Sequence, residues 1–189
     1  GDRGMKRSTT QLSIDAMLAA MCVVLGFVSI RIGNAMKISL EDLPVLFAAL
    51  MYGPVDGMAV GAVGIFLYQF FSYGITATTP LWILPFVVCG LAAGIIAKRS
   101  GFNNTPRQVA VIFIAMELLI MALNTFAIYT DAKIYHYYTP ALIYGALIPR
   151  ILIAILKGAV IGTVASPLLR RMSKFTGNGR GGSVGDRKK

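Results

Sequence analysis

The fold is decided by a long uncharged segment from Gly57 to Ala97, which reads GMAVGAVGIFLYQFFSYGITATTPLWILPFVVCGLAAGIIA. A helix that crosses the hydrocarbon core of a bilayer needs roughly 20 apolar residues, so this segment is long enough for two. Its middle, from Tyr68 to Trp82, mixes aromatic rings with hydroxyl groups, an amide, one glycine and one proline. The segment therefore predicts a helical hairpin whose polar and aromatic tip lies at one face of a membrane.

This tip allows two interpretations. A surface of aromatic rings, hydroxyl groups and amides suits a small ligand that has flat and polar parts. Tyr and Trp side chains at such a turn are equally typical of the aromatic belt that anchors helices at the membrane–water interface. Both interpretations agree with the pattern of residues.

The composition indicates a single membrane domain. Of the 189 residues, 56% are hydrophobic and only 14% are charged, against about 25% charged residues in a soluble domain. The net charge of +10 comes mostly from residues at the ends of apolar segments, so we expect it to orient the chain in the membrane rather than to bind nucleic acid. Cys22, Cys89 and His136 have neither disulfide nor metal-ligand spacing, and we expect no cofactor and no metal.

Six segments are apolar enough to predict membrane spans. They cover residues 12–32, 43–52, 57–72, 80–97, 108–129 and 140–169. The second is short, because the uncharged stretch between Asp42 and Asp56 makes roughly 20 Å of helix against a hydrocarbon core of about 30 Å. Counting it places most of the 18 basic residues on one side of the membrane, as the positive-inside rule requires of the cytoplasmic side. We therefore predict an all-α bundle of six transmembrane helices with both the N and C termini in the cytoplasm.

The chain then divides into three parts. Residues 1–11 are expected to be an N-terminal tail, in which residues 1–4 look like a remnant of cloning before Met5. Residues 12–172 form the predicted six-helix membrane domain. Residues 173–189 are rich in glycine and basic residues, and we expect this tail to be disordered.

Ionisable residues within the predicted spans are candidates for function, because burying them in a membrane is costly. Arg150 and Lys157 lie two turns apart on one face of the last span, and Arg150 is roughly 15 Å from its start at Pro140. The planar guanidinium group suits a carboxylate, which indicates an anionic ligand. The alternative is an internal ion pair with Glu117 on the preceding span.

Further candidates share the outer halves of the last four spans. Asn124 lies two turns from Glu117 on the same helix face. Polar aromatic side chains and one amide accompany it near the outer ends: Tyr68, Gln69, Tyr73, Trp82, Tyr129 and Tyr144. Rings of this kind stack on flat heterocycles and amides bind their polar edges, although the same residues also suit an interfacial belt.

Small residues recur four positions apart in several spans. The pairs are Ala16 and Ala20, Gly57 and Gly61, Gly90 and Gly94, and Gly158 and Gly162. Such pairs let helix backbones approach closely, within one bundle or against a partner protein. No phosphate-binding glycine-rich loop and no catalytic motif is present, so we expect a chain that does not hydrolyse ATP and is not an enzyme.

The segment from Lys37 to Pro54, KISLEDLPVLFAALMYGP, together with Gly57 and Gly61, resembles the substrate-binding S components of energy-coupling factor (ECF) vitamin importers. The resemblance covers about residues 10–172 and is nearest to the folate and pantothenate branch. Ala16 and Ala20 match the Ala-x-x-x-Ala pattern with which the first span of this family contacts the transmembrane coupling subunit.

The resemblance implies a multi-pass protein of a prokaryotic plasma membrane that captures one water-soluble vitamin from outside. It also implies partners, namely a transmembrane coupling subunit and two ATPase subunits. Folate is the first candidate vitamin, and pantothenate, riboflavin and cobalamin are alternatives. A self-sufficient small transporter or channel is an alternative of another class. The residues predicted to bind the ligand are Lys37, Tyr68, Gln69, Tyr73, Trp82, Asn124, Tyr144 and Arg150.

Overall fold

The computed structural model describes residues 9–32, 36–102 and 105–177, which form seven α-helices and one β-hairpin. The elements in chain order are α1 (Thr9–Phe27), β1 (Ile30–Ile32), β2 (Met36–Ile38), α2 (Asp42–Tyr52), α3 (Pro54–Tyr73), α4 (Thr79–Arg99), α5 (Pro106–Ile134), α6 (Pro140–Tyr144) and α7 (Leu147–Gly177). Five of the helical segments are long and apolar enough to cross a membrane, whereas α2 is shorter. The protein is therefore helical and suited to a membrane, as predicted.

Helix α2 lies at the centre of the bundle. It has only 11 residues, and it packs against α1, α3, α4 and α7. Its residues from Val45 to Leu50 are at most 3% exposed. Because neighbouring helices cover it on all sides, this helix needs neither the length nor the lipid contact of an ordinary span.

The glycine pairs predicted from sequence do bring helices together. A Cβ atom on Gly57 would lie 2.9 Å from the carbonyl oxygen of Gly90, so α3 and α4 touch through their backbones. A Cβ atom on Gly158 would lie 2.7 Å from the Cα atom of Ile114, which brings α7 equally close to α5. Substituting larger residues would force these helices apart. Ala16 and Ala20, by contrast, lie exposed on α1 and take no part in this packing.

The first predicted span is too long, and the expectation of a purely α-helical chain missed a β-hairpin. Helix α1 ends at Phe27, and β1 then pairs antiparallel with β2, with Arg31 opposite Lys37. The two strands alternate apolar and basic residues, which is the period of a strand rather than of a helix. The alternation was hidden because only Val28 and Ser29 separate α1 from β1, so the strand continues the apolar run of the helix.

The last predicted span is also divided. Helix α6 ends at Tyr144 and α7 begins at Leu147. Pro149 lies in the first turn of α7, where its ring would clash with the carbonyl group of Gly145 in a continuous helix. Helix α7 then continues to Gly177, past the predicted domain boundary at residue 172, and α1 begins at Thr9. The expectations for residues 1–8 and 178–189 lie outside the described residues.

The helices alternate in direction, so three connections share one end of the bundle. These are the β-hairpin of β1 and β2, the loop of residues 74–78 between α3 and α4, and the loop of residues 135–139 between α5 and α6. We call this the hairpin end. Side-chain contacts between the three connections, described below, confirm that they lie together.

Candidate functional site

Three helices meet at a buried cluster of charges that we call the inner cluster, formed by Lys157, Asp42 and Glu117. The Nζ atom of Lys157 lies 2.6 Å from Oδ1 of Asp42 and 2.7 Å from Oε1 of Glu117. The side chains are 14%, 2% and 6% exposed, respectively. The cluster therefore joins α7 to α2 and α5 through ion pairs from which most water is excluded.

Arg150 lies two turns from Lys157 along α7, towards the hairpin end. Its Nη1 atom donates to Oγ1 of Thr125 on α5 at 3.4 Å, and the side chain is partly buried. The sequence left open whether Glu117 pairs with a cation of this helix. The structure pairs Glu117 with Lys157 and brings Arg150 to the level of Thr125.

Asn124 lies on α5 beside Thr125, between the inner cluster and the hairpin end. Its Oδ1 atom is buried and accepts no hydrogen bond from any residue that the structure describes. Buried polar atoms are nearly always hydrogen-bonded in native proteins. A donor group on a bound ligand would satisfy this oxygen.

A second cluster, which we call the rim cluster, lies at the hairpin end and contains Lys37, Glu41, Tyr68, Arg31 and Tyr73. The Nζ atom of Lys37 lies 3.0 Å from Oε2 of Glu41 and donates to the hydroxyl oxygen of Tyr68 at 2.9 Å. Arg31 donates to the hydroxyl oxygen of Tyr73. Opposite positions in the β-hairpin direct Arg31 and Lys37 to the same side, towards the end of α3.

Aromatic rings form the apolar part of the rim cluster. The rings of Tyr68 and Tyr73 meet edge to face with centroids 6.4 Å apart, and Phe27 packs against Tyr68 in the same manner at 5.5 Å. Tyr68 is only 3% exposed. Lys37 covers the Tyr68 ring, with its Nζ atom 4.0 Å from the ring centroid, whereas Tyr73 is 52% exposed. The rim cluster thus combines hydrogen-bonding groups with the exposed ring of Tyr73, a combination that suits a flat polar ligand.

The predicted site residues fall into three groups. Lys37, Tyr68 and Tyr73 come together in the rim cluster, and Asn124 and Arg150 lie at the level of Thr125. Gln69 and Trp82 are partly buried near the ends of α3 and α4, and Tyr144 is 70% exposed on α6. An apolar groove of about 400 Å³ between α3 and α4 is lined by none of these residues.

Sequence reasoning missed three acids, of which Glu41 pairs with Lys37 in the rim cluster. Asp42 belongs to the inner cluster, and Asp131 accepts hydrogen bonds from Thr78 at 2.6 Å and from Tyr137. Asp42 lies directly before the second predicted span, at residues 43–52, so its position at a helix start could have marked it as a partner for Lys157. No comparable signal pointed to Asp131, which the sequence placed in a loop.

Comparison with known proteins gives the family. The model of the family described as "ECF-type riboflavin transporter, S component" matches residues 6–174. One solved structure that the chain resembles is described as the S component of a bacterial ECF transporter. The two share 24% identity and a TM-score of 0.60, over 90% of this chain and 99% of that chain. A search of curated proteins gave no match.

The family model covers most of the chain and names riboflavin, one of the alternatives drawn from the sequence. Folate as the first candidate, and the folate and pantothenate branch, find no support in this match. The structural similarity agrees on the fold. The chain therefore belongs to the family of ECF-type riboflavin transporter S components, vitamin-binding multi-pass subunits of the prokaryotic plasma membrane that work with a membrane coupling protein and ATPases rather than as enzymes.

Proposed function

We propose that this chain captures riboflavin at the hairpin end, on the outside of the cell, for ATP-driven import. The observation that carries the proposal is the match of residues 6–174 to the riboflavin S-component family. Folate and pantothenate carry carboxylates, whereas riboflavin is uncharged at neutral pH. The charges of the site offer a physical way to choose among these vitamins.

The charges near mid-depth favour a neutral ligand. Lys157 faces two carboxylates, those of Asp42 and Glu117, and Arg150 donates to the hydroxyl group of Thr125. In the rim cluster, Lys37 already has an acid of its own in Glu41. A carboxylate ligand would have to compete with these acids for their lysines, and a buried carboxylate without a cation is costly. A neutral vitamin leaves the ion pairs in place.

We infer that the ligand lies between the rim cluster and the inner cluster. The flat ring system of riboflavin has an imide edge with an N–H group, which could donate to the buried Oδ1 of Asn124. The ring of Tyr73 is exposed and available for stacking, and Lys37 and Arg150 can donate to carbonyl or hydroxyl oxygens. In this proposal the remaining wall residues are Gln69, Trp82 and Tyr144.

The test is a titration of the purified full chain in detergent with riboflavin, followed by quenching of flavin fluorescence. We expect saturable binding of one riboflavin per chain, and no competition from a large excess of folate or pantothenate. Absence of quenching, or displacement of riboflavin by folate, would overturn the proposal.

We further propose that the chain crosses the membrane six times with both termini in the cytoplasm. Central burial of α2 supports this count, because a helix covered by protein can be shorter than the bilayer. Lys98 and Arg99 at the end of α4, and Arg170 and Arg171 in α7, lie at the end opposite the hairpin, as the positive-inside rule requires. Single cysteines at Ala77 and Gly101 should react with a membrane-impermeant reagent from outside and inside, respectively; the reverse pattern would refute this orientation.

The exposed face of α1 is the proposed contact with the coupling subunit. Ala16 and Ala20 leave a shallow surface that no other part of the described chain covers. Replacing either alanine with Trp should block assembly of the import complex in co-purification and leave riboflavin affinity unchanged, because the face lies away from the hairpin end. Normal assembly of both variants would exclude this face.

A further inference from the structure

We propose that Asp131 latches the loop of residues 74–78 to the outer end of α5, and that loss of this latch opens the ligand site. The latch consists of the contacts that Asp131 makes with Thr78 and Tyr137. It deepens the function proposed above, on which the ligand-exchange readout below depends.

The first contact crosses the bundle. Oγ1 of Thr78 donates to Oδ1 of Asp131 at 2.6 Å, although the two residues are 53 positions apart in sequence. Thr78 is the residue that precedes α4, where a threonine hydroxyl usually accepts from an N–H group of its own helix. Here the side chain makes no such cap and is only 3% exposed. The hydroxyl group of Thr78 therefore bonds α5 instead of capping its own helix, α4.

The second contact brings in the loop after α5. The hydroxyl group of Tyr137 donates to Oδ2 of Asp131. Desolvation, the hydrogen bond to Asp131 and the charge of that carboxylate raise the pKa of Tyr137 to about 12, so the hydroxyl group remains a donor at neutral pH. Within the described ranges Asp131 is therefore held by two hydroxyl groups rather than by a cation.

The loop of residues 74–78 is built to move when released. Gly74 ends α3 with its N–H bonded to the carbonyl of Phe70 at 3.0 Å, and it has φ of +71° and nothing within 4 Å of the position of a Cβ atom, so the loop that follows it has space in which to move. At the other end of the loop, hydroxyl groups of Thr76, Thr78 and Thr79 bond one another, and Oγ1 of Thr79 accepts from the backbone N–H of Thr76 at 2.9 Å. The hydrogen bond from Thr78 to Asp131 connects this threonine network to α5.

The latch also completes a chain of contacts across the hairpin end. Tyr73, just before the loop, accepts a hydrogen bond from Arg31 of the β-hairpin, and Thr78, at the loop's end, binds Asp131. All three connections of this end are thus joined through the loop of residues 74–78. Breaking the Asp131 contacts would free one side of the loop and leave the other attached, as for a hinged lid.

The first test needs no ligand. Amide hydrogen exchange of the segment 74–79 is compared in the wild type, Thr78→Val and Asp131→Ala. We expect exchange about tenfold faster in both variants, the loss expected for one hydrogen bond to a charged group, and an intermediate rate in Asp131→Asn. Thr130→Val is the matched control, because within the described residues the hydroxyl group of Thr130 bonds its own helix, at the carbonyl of Phe126. Unchanged exchange in both latch variants would overturn the latch.

The second test measures ligand exchange by stopped-flow flavin fluorescence. A latch that stabilises the closed state predicts that association and dissociation of riboflavin both become about tenfold faster in Thr78→Val and Asp131→Ala, with a smaller change in Kd. Combining the two substitutions should add nothing further, because they break the same contact. Faster dissociation with unchanged association would instead make Asp131 a ligand contact and contradict the latch. If the wild type bound no riboflavin, the proposed function would fail, and the exchange of segment 74–79 alone would decide the latch.

Discussion

The inner cluster and the rim cluster are each built around one lysine, yet the two lysines differ in how exposed they are and in how far along the sequence their acidic partners lie. Lys157 is 14% exposed and pairs with two acids from other helices, whereas Lys37 is 27% exposed and pairs with a single acid, Glu41, four residues further along the chain and 8% exposed. Removing Lys157 would leave two buried acids without a cation, whereas removing Lys37 would leave one, at a position that is partly open to water. The comparison indicates that the inner cluster holds the helices together and that the rim cluster is free to exchange its contacts for those of a ligand.

The largest effect should follow from breaking the inner cluster. Lys157→Met leaves Asp42 and Glu117 buried without a cation, so we expect it to lower the free energy of unfolding by roughly 3–5 kcal/mol. Thermal unfolding of the detergent-purified protein measures this loss. The matched variant Lys37→Met leaves only one acid, Glu41, without its cation, so we expect a smaller loss of roughly 1–3 kcal/mol. Equal losses of stability in the two variants would show that the two clusters contribute equally to the fold, contrary to this account.

A compensating variant sharpens the same test. Adding Asp42→Asn and Glu117→Gln to Lys157→Met removes both uncompensated acids. Because well-packed neutral side chains often replace a buried ion pair without loss, we expect most of the stability to return. Failure to recover would mean that Lys157 is needed for its shape rather than for its charge.

The second largest effect concerns Asn124, which lies between the two clusters. Asn124→Leu removes a buried oxygen that accepts no hydrogen bond within the described chain. We expect the free energy of unfolding to stay the same or rise, while riboflavin binding weakens by about 1–3 kcal/mol because a ligand donor is left unpaired. Unfolding and fluorescence titration on one preparation give both values. A fall in stability without a fall in affinity would make Asn124 a structural residue.

The predictions for the inner cluster depend on contacts between helices that could not be predicted from the sequence. The limits of α2, α3 and α4 agreed with the predicted spans to within a few residues, because Gly53, Pro54 and Lys98 mark the ends of apolar runs. Helical periodicity placed Arg150 and Lys157 on one face of α7, but it does not say which helix lies opposite. The partner Asp42 is 115 positions away in sequence, and it became a neighbour only because α2 is buried at the centre.

The tyrosines of the rim cluster were predicted from the sequence, but the β-hairpin that completes the cluster was not. Tyr68 and Tyr73 are polar aromatic residues near the end of a span, which the sequence marks directly. The β-hairpin that brings Arg31 to Tyr73 was not foreseen, because its strands continue an apolar run and its pairing depends on the chain reversing between them.

A smaller effect should follow from Tyr68→Phe in the rim cluster. The substitution removes the hydroxyl oxygen to which Lys37 donates, and we expect riboflavin binding to weaken by about 0.5–1.5 kcal/mol, with no change in thermal unfolding. Tyr135→Phe is the control, because Tyr135 follows α5, is 49% exposed and belongs neither to the two clusters nor to the proposed ligand wall. If Tyr68→Phe destabilised the fold as much as Lys157→Met, the rim cluster would be structural too.

The smallest effect is expected from salt. Raising the ionic strength from 0.1 M to 1 M shortens the Debye length from about 10 Å to about 3 Å, which weakens attraction between exposed charges. Because the proposed ligand is neutral, riboflavin affinity should not change over this range. A marked loss of affinity would indicate that Arg31 or Lys37 binds a charged ligand.

Identification of the molecule that the chain retains tests the central claim most directly. The full chain is purified in detergent from cells grown with a mixture of vitamins, and native mass spectrometry determines the mass and number of bound small molecules. Our account predicts one riboflavin per chain. Retention of folate, pantothenate or another acidic vitamin in its place would contradict it.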